Sequence, residues 1–185
     1  MSFLKNIVVF ITKIISRVFY PKFGLQIIKY WGFQGSWWIL NSLWFQKVLG
    51  FNRFAPYPTS FSFRISNYNN LVIPISSMNN LQATGVYFQN FSAKIILGEN
   101  VYIAPNVGII TANHDLKNLK NHKEGKDVYI ADNCWIGMNT VVMPGVKLGK
   151  NTIVGSGSVV TKSFEDGGVV IAGTPAIIIK KIYND

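Results

Sequence analysis

The chain has 185 residues, 49% of them apolar, which suits one folded domain with or without an extension and excludes global disorder. Its single cysteine, Cys134, excludes an intramolecular disulfide framework and a cysteine-rich metal site, and fits a reducing cytoplasm. The net charge of +10 is uneven: residues 1–98 hold nine Lys or Arg and no acid, and the remainder holds nine basic and eight acidic residues. That asymmetry calls for something anionic beside the N-terminal half: a membrane face, an acidic glycan or nucleic acid.

In chain order, residues 1–23 predict an amphipathic helix ended by Pro21, with Lys5, Lys13 and Arg17 among Ile, Val, Leu and Phe. The longest uncharged run there, residues 6–12, is too short to span a bilayer, and no cleavage motif marks a signal peptide. Residues 30–46 carry Trp31, Trp37, Trp38 and Trp44 beside Gln34, Ser36, Asn41 and Ser42, a mixture that suits an interface. Residues 1–50 therefore either rest on an anionic membrane as a peripheral anchor or cap the domain that follows. A nucleic-acid partner is not expected, since no nucleic-acid fold accompanies the charge.

Residues 51–96 look like early, irregular repeats. Phe54, Phe61, Phe63, Ile65, Leu71, Ile73, Ile75 and Leu81 make short β-like runs, with Pro56, Pro58 and Pro74 at bends. From Leu97 the pattern sharpens. Leu97, Ile103 and Ile109, then Ile130, Ile136, Val142, Leu148, Val154 and Val160, recur every sixth position around one interruption. Gly or Ala follows six of these nine, and a small or β-branched residue stands two places before, as at Val101, Cys134, Thr140, Thr152 and Ser158. Neither a helical period nor a strand alternation produces this; a triangular solenoid does, with three hexapeptides to a coil and the aliphatics inside. The expected organisation is a 1–50 N-terminal segment and a 51–182 parallel β-helix with an exposed loop at 115–129. Stacked coils with Gly or Ala at the close approach would pair as parallel strands.

These motifs carry a resemblance. The segments GVYFQNFSAKIILGENVYIAPNVGIITANHD (85–115), VYIADNCWIGMNTVVMPGVKLGKNTIVGSGSVVTKSF (128–164) and VIAGTPAIIIKKI (170–182) resemble the hexapeptide-repeat acyltransferases. The likeness is greatest to maltose- and galactoside-type acetyltransferases and to sugar O-acetyltransferases of bacterial surface-polysaccharide pathways. It implies an all-β, left-handed parallel β-helix assembled as a homotrimer. Sequence alone would not supply that hand, since parallel crossovers generally favour the right.

The resemblance makes His114 of the "ANHD" motif the general base, acetyl-CoA the co-substrate, and a sugar or lipid-linked glycan hydroxyl the acceptor. An imidazole suits the task because a hydroxyl attacks well only as its proton leaves. Asn113 and Asp115 adjoin His114; Asp115 would orient it, receive an acceptor hydroxyl, or serve only the turn. Trp135 of "WIG" is implied to line the acetyl-CoA and acceptor cleft, or else a trimer contact. The Met138 N–H is the candidate donor to the oxyanion. Gly155, Ser156 and Gly157 would lie along the pantetheine arm, Thr161 and Lys162 at the nucleotide end, and Ala172, Gly173 and Lys180 in the closing segment. One departure stands out: Ile177 occupies a place where the family usually has a long basic residue, so that either Lys181 compensates or coenzyme A binds more weakly. Gln89 and Asn90, in the coil below His114, either bond acceptor hydroxyls or cap a turn.

His122 reads as a solvated loop residue, and Cys134 as a buried, inert thiol, which favours direct transfer over an acyl-cysteine. No metal is expected, because a γ-class carbonic anhydrase on this scaffold needs three histidines and the chain has two. The remaining alternatives are N-acetylation of an amino sugar and a non-catalytic scaffold.

Overall fold

The computed structural model describes residues 2–182. The chain divides into two compact units between Phe63 and Arg64.

The first unit is helical. Helix α1 runs Ser2–Phe19 and helix α2 Gly24–Ser42, continued by a π-helical turn, Leu43–Val48. Helix α1 stops just ahead of Pro21, as the residue before a proline is driven out of the helical region. Residues 51–63 belong with these helices rather than with the repeats. The fully buried Gln46 explains why: its Oε1 accepts from Tyr20 Oη at 2.7 Å and from Thr59 N at 3.1 Å, and its Nε2 donates to the carbonyls of Asn52 and Tyr57. Burial pushes the Tyr20 hydroxyl up to about 12. Phe54 and Phe61, expected among the early repeats, are exposed and lie outside the solenoid.

The second unit is a parallel β-solenoid with three sheets. One sheet stacks Arg64–Ile65, Tyr87–Gln89, Gly108–Ile110, Val141–Val142 and Val159–Val160. The next stacks Leu71–Val72, Ile95–Leu97, Val128–Ile130 and Lys147–Leu148. The third stacks Tyr102–Ile103, Trp135–Ile136, Ile153–Val154 and Val169–Gly173, and ends in the antiparallel strand Ala176–Lys181. The chain visits the sheets in that order, once per coil. All nine aliphatics of the repeat are buried, and so are Val101, Val107, Cys134, Thr140, Val146, Thr152 and Ser158 two places before. The hydroxyls among these are satisfied inside the coil: Thr152 Oγ1 donates to Gly149 O at 2.7 Å and Ser158 Oγ to Gly155 O at 2.6 Å. Gly137 shows what the small residue is for, since a Cβ there would stand 2.6 Å from Ser156 N in the next coil.

A further slot explains the corners. Three places before the aliphatic, Asn100, Asn106, Asn133, Asn139 and Asn151 all have φ between 54° and 60°, and Gly145 and Gly157 take the same place with positive φ. Asn and Gly tolerate this left-handed backbone best, so each corner is written into the sequence. Some of these amides also stack: Asn106 Nδ2 donates to Asn139 Oδ1 at 3.2 Å.

In the first coil a 3₁₀ segment, Ile75–Gln82, replaces the strand of the third sheet. Asn80 stands in for the missing strand, accepting from Ile103 N at 2.7 Å and donating to Val101 O at 2.7 Å. This explains why residues 64–96 lack a clean six-residue register: side chains, not a repeat, close that end of the third sheet.

Candidate functional site

The repeat is interrupted between the first sheet's Gly108–Ile110 and the second sheet's Val128–Ile130. The interruption is an antiparallel hairpin, with His114–Asp115 paired to Asn118–His122. It is narrower than the expected 115–129 loop, because Val128 is already buried in the second sheet and Tyr129 pairs beside it. Lys123 N donates to Asn113 O and Lys126 N to Thr111 O, both at 2.8 Å, returning the chain to its coil.

His114 is exposed, and its Nδ1 lies 2.8 Å from Leu119 O across the hairpin. A carbonyl oxygen can only accept, so Nδ1 carries the proton and the neutral ring keeps its lone pair on Nε2. The orienting group is thus the Leu119 carbonyl, a backbone atom that sequence reasoning had no means to single out. Asp115 does not fill that role: its Oδ1 accepts from Lys117 N at 3.0 Å, the turn chemistry that was the plainer alternative. His122 is exposed on the hairpin, as expected, and also stacks on His114 with ring centroids 4.3 Å apart, while Phe91 packs edge-on against His122 at 4.9 Å.

The side chains of Gln89 and Asn90 are engaged with the backbone of neighbouring segments. Gln89 Oε1 accepts from Thr111 N and Ala112 N, and its Nε2 donates to Ala112 O at 3.0 Å. Asn90 is fully buried and exchanges both its amide bonds with the backbone of Asn67. Their polar groups are spent holding the coil from which the His114 hairpin rises.

The other predicted residues gather elsewhere. Trp135 is half exposed on the outer face of the third sheet, in register with Tyr102 and Ile153. Met138 forms the following corner, where its carbonyl accepts from Gly157 N at 2.8 Å. Ser156 and Gly157 are exposed at the same corner one coil on, and a Cβ on Gly157 would meet nothing within 4 Å. The Gly155 N–H is committed to Ile171 O at 2.8 Å and its carbonyl receives Ser158 and Thr140, so Gly155 serves the stack itself. Ala172 lies on the third sheet's strand beside it, and Gly173 N donates to Ser158 Oγ at 3.1 Å.

Thr161 and Lys162 are exposed after the first sheet's last strand, on the edge from which the His114 hairpin leaves two coils earlier. Lys162 and Lys181 share a cleft of about 580 Å³ with Phe164 and Ile178; Lys180 is exposed on the same strand as Lys181, and so is Ile177 three residues earlier. Cys134 is buried with its Sγ 3.2 Å from Gly149 O, and burial raises its thiol, so it is no nucleophile.

One chain therefore places the candidate residues in two separate groups. His114 stands on the edge between the first and second sheets, whereas Trp135, Met138, Ser156 and Gly157 line the third sheet and the edge leading back to the first.

Comparison with known proteins fits this arrangement. Residues 127–162 match the family described as bacterial transferase hexapeptide (six repeats). The repeat domain carries that hexapeptide signature over these residues. It is 41% identical over 112 residues to the galactoside O-acetyltransferase of Lactococcus lactis, covering 55% of this chain and 52% of that one. A maltose O-acetyltransferase structure from Clostridium difficile 630 superposes with a TM-score of 0.54 at 30% identity, covering 68% of this chain and 66% of that one. A galactoside acetyltransferase in complex with coenzyme A gives a TM-score of 0.57 at 29% identity, covering 65% and 60% respectively. The chain spans about half the length of the curated relatives it matches.

Proposed function

We propose that the hexapeptide-repeat domain moves an acetyl group from acetyl-CoA to a sugar hydroxyl, with His114 as general base, in the building of a bacterial surface polysaccharide. The observation that carries the reading is the Nδ1–H bond to Leu119 O, which makes Nε2 the lone-pair nitrogen of the neutral ring on an exposed hairpin. The family resemblance supports the rest: the relatives named O-acetyltransferases, and the related structure holding coenzyme A.

The residues present fit such a co-substrate. Ser156 and Gly157 offer an open backbone corner for a thin arm, and Lys162 with Lys181 supplies cations for phosphate at the end of the solenoid. Acetyl-CoA supplies an acetyl group already activated as a thioester. His114 Nε2 accepts the acceptor hydroxyl's proton as that oxygen bonds the acetyl carbon. The same proton is then available to the departing thiolate, so the ring ends neutral. Leu119 O stabilises the imidazolium in between by holding Nδ1–H, and the Met138 N–H is the proposed donor to the carbonyl oxygen.

Because one chain separates the two groups onto different edges, the reading includes a homotrimer in which His114 of one copy meets Trp135 and Met138 of the next. The left-handed winding implied by the resemblance belongs to this proposal, as does a cytoplasmic location. The test is release of free thiol from acetyl-CoA across a panel of mono- and oligosaccharides, for the wild type and His114→Ala. Turnover that needs the acceptor and disappears in the mutant, with coenzyme A binding retained, is the expected result. Absence of coenzyme A binding to the wild type overturns it in favour of a scaffold. Preference for amino sugars in the panel would replace the hydroxyl acceptor by an amine.

A further inference from the structure

Helix α1 is packed in the reverse sense to the solenoid. Between α1 and α2 lie small and hydroxylic residues: Thr12 and Ser16 are fully buried, and a Cβ on Gly24 would stand 2.5 Å from the Ser16 Cβ. Ser36 and Gly35 are buried further along α2, as are its Ile27, Ile28, Trp38 and Ile39. The α1 hydroxyls return to their own helix, Thr12 Oγ1 to Val8 O at 2.6 Å and Ser16 Oγ to Lys13 O at 3.0 Å. The large apolar side chains of α1 face outward instead. Phe3, Ile7, Phe10, Ile11, Ile14 and Val18 are all exposed, Phe10 by 64%. At the helical rotation per residue they cover one arc of roughly 100°, with Lys13 and Arg17 along one border.

Water would favour the opposite arrangement, whereas small residues inside and apolar ones outside is the pattern of helices whose surroundings are apolar. No described helix is long and apolar enough to cross a membrane. Residues 1–63 also hold seven Lys or Arg and no Asp or Glu.

We infer that the α1–α2 hairpin lies in the plane of an anionic phospholipid surface, with the Phe3-to-Val18 arc sunk among the acyl chains and the basic border at the headgroups. A second apolar feature agrees with this. Phe19, Leu40, Leu43, Trp44 and Val48 line a shallow cleft together with Lys47, a place for one acyl chain beneath a phosphate. The role stands apart from acetyl transfer and fails or survives independently of it.

The test is flotation of the full-length protein with vesicles of phosphatidylserine and phosphatidylcholine, against phosphatidylcholine alone, at low and high salt. Binding to the anionic vesicles is expected, reduced but not abolished by salt. Phe10→Ser with Ile14→Ser should weaken it by on the order of tenfold or more, since each side chain gives up its apolar burial. Lys13→Glu with Arg17→Glu should remove the salt-sensitive part only. Exposed Trp37 and Trp44 should be quenched by lipids labelled near the headgroup, not at the bilayer centre. Circular dichroism separates a lost surface from a lost fold. A folded wild type that fails to float at low salt overturns the proposal. So does an F10S/I14S variant that floats like wild type while its oligomer falls apart, which would show that a second copy covers the arc.

Discussion

The solenoid and helix α1 treat their apolar residues in opposite ways. In the solenoid every sixth side chain is a large aliphatic pointing inward, and small residues manage the crowding beside it. In α1 the inward positions are Thr12 and Ser16 and the arc from Phe3 to Val18 looks out, while Ile27, Ile28, Trp38 and Ile39 of α2 are buried. The solenoid therefore stands on its own repeated aliphatics, whereas α1 is held to α2 by close approach of small residues. The contrast teaches that a hydrophobic period locates a face but not its neighbour. That face is core in the solenoid and surface in α1.

The sharpest test of the catalytic half of this contrast is His114→Ala. It should lower turnover about 100- to 10,000-fold, the usual worth of a positioned base, while titration calorimetry shows coenzyme A binding unchanged. Next comes a matched pair of apolar deletions. Ile136→Ala, in the solenoid core, should cost about 2–5 kcal/mol in urea unfolding. Phe10→Ala, on the outward arc, should shift stability by no more than about 0.5 kcal/mol in the absence of lipid. Equal losses at the two sites would break the comparison. A smaller effect belongs to the corners: Asn139→Ala forces a residue with a Cβ and no helpful amide to keep φ near 60°, at about 1–2 kcal/mol, and Asn139→Gly should restore most of it.

The smallest effect concerns an exposed network on the solenoid surface. Lys150 beside Asp132, at 2.8 Å, and the Glu99 N–H hold the Asp132 carboxyl below its ordinary range. A depressed carboxyl contributes stability above its unfolded pKa and loses it as pH falls through the folded value. Asp132→Asn should therefore lower the melting temperature slightly at neutral pH and leave the most acidic end of the profile unchanged, so that its acid side flattens.

Much of the active region was legible because its chemistry is local. The "ANHD" run places His114 at the end of a coil, and a polar insertion after it has to leave the core. Gln89 and Asn90 could not be assigned, since an amide reads the same whether its partner is a sugar or the backbone one turn away. The stacking of His122 on His114 was not legible for a related reason: only the cross-strand pairing of the hairpin brings the two rings together. The boundary at residue 50 missed residues 51–63 because Gln46 and Asn52 tie them to the helices by hydrogen bonds that no period announces.

The sequence by itself determined the solenoid: a six-residue repeat admits one inward aliphatic per side, and Asn or Gly at the third place before it sets the corner. The tertiary structure alone decided which face of α1 is covered, what orients the His114 ring, and that this ring lies on a different edge from Trp135 and Met138. Those depend on contacts between residues distant in the chain, and such contacts leave no period to read.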